Sequence, residues 1–140
     1  YLVDQSRVFS IGPLPEKFLA AHTAMRAVFH TVAEAAKPGV RCGDLYDLAV
    51  TKATEMGYAE NFMGYGEGQV GFIGHGVGLE LDELPVISRN NPSVLEAGMV
   101  LALEPRVVFP DGSVGMENTG VVTPDGLQSI TYSAEEVIVV

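Results

Sequence analysis

An α+β domain, with two successive helices covering one face of a largely antiparallel sheet, is what the sequence predicts. Apolar residues recur at helical spacing between Glu16 and Met56, whereas from Tyr58 onward short apolar runs alternate with Gly and Pro turns. Helices followed by strands, rather than strands and helices in alternation, argue for segregated layers. With 140 residues and 47% hydrophobic composition, the chain can build one core.

Taken in order, Tyr1 to Phe9 alternates apolar and polar residues and predicts an opening strand. Ile11-Gly12-Pro13-Leu14-Pro15 breaks regularity, and Glu16 to Ala36 predicts a long helix with Phe18, Ala21, Met25, Val28, Phe29 and Val32 near helical spacing. Lys37-Pro38-Gly39 ends it, because Pro lacks the donor that a continuing helix needs. A second helix is predicted from Asp44 to Met56, with Leu45, Leu48, Ala49 and Ala53 inward and Gly57 as its stop. Seven glycines between Gly64 and Gly78 then mark backbone that turns sharply or is closely approached. Gly98 to Pro105 reads as a buried strand, and Val107-Val108-Phe109 as a short one before the turn Pro110-Asp111-Gly112. A strand from Val114 to Val122, the turn Pro124-Asp125-Gly126 and a strand over Gln128 to Tyr132 complete a meander.

Eight basic against eighteen acidic residues give a net charge of −10, a field that repels nucleic acid and anionic membrane surfaces at long range. No run approaches the ~20 apolar residues of a membrane span, and no basic start or apolar signal core opens the chain. Cys42 stands alone, so no internal disulfide exists and a cytoplasmic setting is expected.

Most acids are scattered over what reads as a solvated surface. Three are not: Asp4 follows Leu2-Val3, Glu104 follows Leu101-Ala102-Leu103, and Glu117 follows Val114-Gly115-Met116. A buried carboxylate costs several kcal/mol unless a cation or strong donor meets it. Each taken singly could be an edge residue turned to water, to Arg7 or to Arg106; taken together they call for a divalent metal, and oxygen-rich ligands suit Mn, Fe, Co or Zn. His75 lies in Phe72-Ile73-Gly74-His75-Gly76-Val77-Gly78, where flanking glycines let the imidazole meet something close to the backbone. His22 and His30, on the first helix, lack ligand spacing and are expected to face solvent.

In their order, Gly74-His75-Gly76-Val77-Gly78, then Leu95-Glu96-Ala97-Gly98-Met99-Val100 leading to Leu103-Glu104-Pro105, then Met116-Glu117-Asn118-Thr119, resemble the signature of the pita-bread metallopeptidases, the methionine aminopeptidase, Xaa-Pro dipeptidase and aminopeptidase P type. Asp4-Gln5-Ser6-Arg7 resembles that family's Asp-x-Thr-Arg element. The resemblance implies part of a pita-bread fold, two divalent ions (Mn, Co, Zn or Fe) and four ligands, Asp4, His75, Glu104 and Glu117, with Asp4 and Glu117 bridging. It also implies a peptide substrate cut at its N-terminal bond, with Glu104 as the proton shuttle.

Three departures accompany it. The family's other aspartate would lie upstream of Tyr1, so residues 1–140 are expected to be the C-terminal portion of the catalytic domain, with its N-terminal half absent and activity weak. An apolar sheet edge exposed by such a cut would be covered in a homodimer. Asp82 stands where the family commonly has a substrate-contacting histidine, and an ionised aspartate cannot donate a hydrogen bond. Gly115 stands where prolidase-like members often have an arginine. A pita-bread module that binds peptides or proteins without catalysis, and a creatinase-like hydrolase that needs no metal, are the competing expectations.

Overall fold

A computed structural model describes residues 1–140. Two helices, α1 (Glu16–Ala35) and α2 (Cys42–Glu55), pack on one another and on one side of the sheets. The main sheet has five strands in the order β3 (Glu83–Ser88), β2 (Phe72–Gly76), β4 (Val100–Leu103), β7 (Asn118–Thr123) and β8 (Gly126–Ser129), every neighbouring pair antiparallel. A hairpin of β5 (Arg106–Phe109) and β6 (Gly112–Gly115), and a parallel pair of β1 (Phe9–Ser10) with β9 (Ile138–Val139), complete the elements. The predicted α+β layering stands.

Helix α1 forms because Ala21, Met25, Val28, Phe29 and Val32 return to one stripe, and they meet Leu45, Ala49 and Ala53 of α2 together with Leu101, Leu103 and Val122 of the sheet in one core. The β7–β8 turn comes so close to α1 that a Cβ on Gly126, at φ +122°, would lie 2.7 Å from the Ala33 carbonyl oxygen. Helix α2 starts two residues before the predicted Asp44, with Cys42 and Gly43 buried.

Four local expectations need correction. Residues 1 to 8 form no ladder, because their backbone partners change every few residues: Leu2 N–H bonds Gly78, Asp4 N–H bonds the Thr119 hydroxyl, and Ser6 bridges Glu117. The predicted strand from Val114 to Val122 is two strands. β6 ends at Gly115 and pairs β5, β7 begins at Asn118 in the main sheet, and Met116-Glu117 crosses between them. Phe72–Gly76 and Glu83–Ser88, neither predicted as a strand, pair with one another, and Glu83–Ser88 forms the sheet edge. His22 does not face solvent: it is 2% exposed on the core side of α1, whereas His30 is exposed and pairs with Glu135.

Candidate metal centre

The sheet face turned away from the helices is where the singled-out residues converge. Alternation along β4 sends Leu101 and Leu103 into the core and leaves Ala102 and then Glu104 on the opposite face. In register, Ala102 sits between His75 of β2 and Thr119 of β7. Continuing that register by two residues sets Glu104 opposite Glu117.

His75 reaches this face through a bulge. Phe72 pairs Ser88 and Gly74 pairs Ile87, so one residue is extra between them; Ile73 enters the core while Phe72 and His75 line the same hollow. The flanking glycines serve the neighbouring strands. A Cβ at Gly74 would stand 2.3 Å from the Ala102 carbonyl oxygen, and one at Gly76 would stand 2.5 Å from that of Leu84. The imidazole is 4% exposed, with Nδ1 3.0 Å from the Gly76 carbonyl oxygen. Only a protonated Nδ1 can bond that oxygen, so Nε2 is the nitrogen offered to the site.

Around Nε2 stand Asp82 Oδ1 at 3.3 Å, Glu104 Oε1 at 3.7 Å and Asp4 Oδ2 at 4.0 Å. One ligand atom each from Asp4, His75 and Glu117 lie within 4.8 Å of one another, a set able to hold a metal ion. Nitrogen and carboxylate oxygen donors suit a divalent ion of borderline to hard character. Asp4 is held by Thr119, whose hydroxyl accepts from Asp4 N–H at 2.8 Å and donates to the Asp4 carbonyl at 2.8 Å. Glu117 accepts from the Ser6 hydroxyl at 2.6 Å, and Arg7 bonds the Glu117 carbonyl at 2.8 Å and Asn118 Oδ1 at 2.6 Å.

Burial, and then the neighbouring Asp4 carboxylate, push the Glu117 pKa up against the opposing bond from Ser6. Three carboxylates thus share a face whose charge is opposed by Arg106, which makes an ion pair with Glu104. The cation weighed as a partner for a single acid is therefore present, for Glu104. It leaves Asp4 and Glu117 without a guanidinium or ammonium partner, since Arg7 bonds the Glu117 backbone rather than its carboxylate.

Asp82 sits at the mouth of the site, its side chain 76% exposed, beside a hollow of about 330 Å³ lined by Phe72, His75, Leu84 and Val86. Gly115 pairs across the hairpin with Arg106. Ser6, Arg7 and Thr119 belong to the motifs read from the sequence, yet their supporting bonds depend on contacts more than 100 residues apart and had no local signal.

A candidate metal-ligating set on the outer face of an antiparallel sheet backed by two helices is the arrangement of the pita-bread fold. The chain matches the model of metallopeptidase family M24 over residues 1–124 and belongs to that family. The Xaa-Pro dipeptidase of Lactobacillus delbrueckii subsp. lactis is 33% identical over 137 residues, covering 97% of this chain and 35% of the relative. The X-Pro aminopeptidase of Thermotoga maritima MSB8 superposes with a TM-score of 0.88 at 29% identity, over 98% of this chain and 37% of that one. The methionine aminopeptidase of Thermotoga maritima superposes at 0.72 and 26% identity, over 94% and 58%. The chain spans just over a third of the length of the curated relatives it matches. No helix is long and apolar enough to cross a membrane.

Proposed function

We propose that the protein is an exopeptidase of the Xaa-Pro dipeptidase or aminopeptidase type, and that residues 1–140 are the C-terminal portion of its catalytic domain. The observation that carries this is the convergence of Asp4, His75, Glu104 and Glu117 on one face, three carboxylates and one imidazole where a structural sheet would carry apolar or solvated residues. These four would hold two divalent ions, Mn, Co, Zn or Fe. The upstream part of the domain is expected to add one further aspartate.

Such ions supply Lewis acidity and lower the pKa of a water towards neutrality. The chain's own groups do the rest. Glu104, 3.7 Å from His75 Nε2, takes a proton from the attacking water and returns it to the leaving nitrogen as the C–N bond breaks. His75 is kept in one tautomer by the Gly76 carbonyl. The free amino terminus of a peptide could act as a further donor at such a centre, which would make the cleavage exo rather than endo. Asp82, exposed at the mouth, is a hydrogen-bond acceptor and contacts the amine end of the substrate. The buried free thiol of Cys42 supports a cytoplasmic setting.

The test is hydrolysis of Ala-Pro and of Met-peptides by the chain extended upstream, with Mn, Co or Zn added and Glu104→Ala as control. Metal-dependent release of the N-terminal residue that disappears in the control is expected. The ion pair of Arg106 with Glu104 favours a second reading, a binding module whose Glu104 is neutralised without metal. Peptide binding without turnover or metal uptake would establish that reading instead.

A further inference from the structure

The loop between β2 and β3, residues 77–82, brings Asp82 to the ligand set on a backbone that is tied down. Gly78 N–H donates to the Glu80 carbonyl at 3.0 Å, the Gly78 carbonyl accepts from Leu2 N–H at 2.8 Å, and Glu83 Oε1 accepts from Glu80 N–H at 2.9 Å. The Glu83 carboxylate fills the space beside Gly78, where a Cβ would stand 2.5 Å from Oε2. Glu83 thus serves the loop, and the Asp82 carboxylate has His75 as its one ionisable partner. Asp82 Oδ1 is 3.3 Å from His75 Nε2, nearer than Glu104 at 3.7 Å or Asp4 at 4.0 Å. Nε2 turns a lone pair towards it, because the ring proton sits on Nδ1 against the Gly76 carbonyl. Two acceptors this close repel one another unless a cation lies between them.

We propose that Asp82 is a further metal ligand, delivered by this loop through Oδ1 to the ion on His75, and that it turns the preference of that ion towards manganese. This rests on the metal-dependent reading above. Metal–nitrogen and metal–oxygen bonds of about 2.0–2.2 Å, meeting at about 90–110°, set two ligand atoms roughly 2.8–3.6 Å apart. The 3.3 Å between Asp82 Oδ1 and Nε2 falls inside that range, whereas Glu104 and Asp4 lie outside it and have to close in. An aspartate supplies a hard, anionic oxygen where a histidine in its place would supply a neutral nitrogen. Oxygen donors suit Mn, and imidazole suits Zn. A carboxylate also has a second oxygen, and with 76% of the side chain exposed it stays open to the amine end of a substrate. Ligation and substrate contact are therefore compatible.

The experiment measures metal binding, with MnCl2 and ZnCl2 titrated calorimetrically into the upstream-extended protein and three variants. Asp82→Ala should weaken Mn binding by about 10- to 100-fold. Asp82→His should recover Zn affinity but not Mn affinity, so the Mn-to-Zn ratio falls below that of the wild type. Glu80→Gln removes the same charge from an exposed position of the same loop and should bind as the wild type does. Mn affinity unchanged in Asp82→Ala, or an equal loss in Glu80→Gln, overturns the ligand; an unchanged Mn-to-Zn ratio in Asp82→His overturns the selectivity. Ala-Pro hydrolysis assayed alongside keeps the two readings apart. Asp82-dependent Mn binding without turnover supports the ligand and sinks the peptidase, whereas turnover with Mn binding indifferent to Asp82 sinks the ligand alone.

Discussion

The two faces of β4 differ by one residue of alternation and by everything else. On the helix side Leu101 and Leu103 are 0% and 1% exposed and belong to one apolar core with Met25, Val28 and Val32. On the other side Ala102 and Glu104 look onto His75, Asp4 and Glu117, where three carboxylates meet one arginine. One face holds the domain together; the other is left electrostatically unbalanced for a ligand of opposite charge. Substitutions on the two faces should therefore separate stability from function.

The largest effect expected is on the core face, where Leu101→Ala should lower stability by about 2–5 kcal/mol through lost transfer energy and a cavity, measured by urea unfolding. Next comes Glu117→Gln on the site face. Metal affinity should fall by about 100-fold or more, since even supporting residues are worth about 10- to 100-fold, while the metal-free protein keeps its stability at neutral pH. The sign follows from the raised Glu117 pKa. The native state takes up a proton before the unfolded chain does, so this group's stabilising contribution is complete below the ordinary value near 4.5 and is lost as pH rises through the folded pKa. In Glu117→Gln that slope should vanish; its persistence would place the titration elsewhere.

Thr119→Val is the finer probe. It keeps the shape of a residue that is 0% exposed but removes both bonds to the Asp4 backbone, so metal affinity should fall about 10-fold. Equal affinity in calorimetry would mean that Asp4 is positioned by other contacts. The smallest effect is expected at His22, whose pKa is lowered by burial and then by Arg26. Its contribution is present above about pH 6.5 and is lost as pH falls through the lower folded value, because the unfolded chain binds the proton first. His22→Leu should flatten the dependence of stability on pH below about 6.5, read from thermal midpoints across an acid series.

What the sequence made legible divides along the same line as local and non-local physics. The helices were readable to within two residues at each end because Met25, Val28, Phe29 and Val32 repeat within a few turns. Asp4, His75, Glu104 and Glu117 stood out because each interrupts an apolar or glycine-rich run, and all four meet on one face. The break at Met116-Glu117 was hidden, since Val114 to Val122 is uniformly strand-like and only pairing with different sheets divides it. The opening segment failed as a strand for a related reason: its alternation is real, but its partners are Gly78, Thr119 and Glu117 in turn. Asp82 beside His75 and Arg106 beside Glu104 depend on a loop and a hairpin whose placement no local pattern encodes.

The central claim is that the face carrying Ala102 binds divalent metal. A crystal structure of the upstream-extended protein soaked in Mn, with anomalous difference maps at the manganese edge, tests it most directly. Peaks bordered by Asp4, His75, Glu104 and Glu117, with Arg106 turned away from Glu104, are the predicted result. An empty face with the Arg106–Glu104 pair intact at saturating Mn would contradict the account.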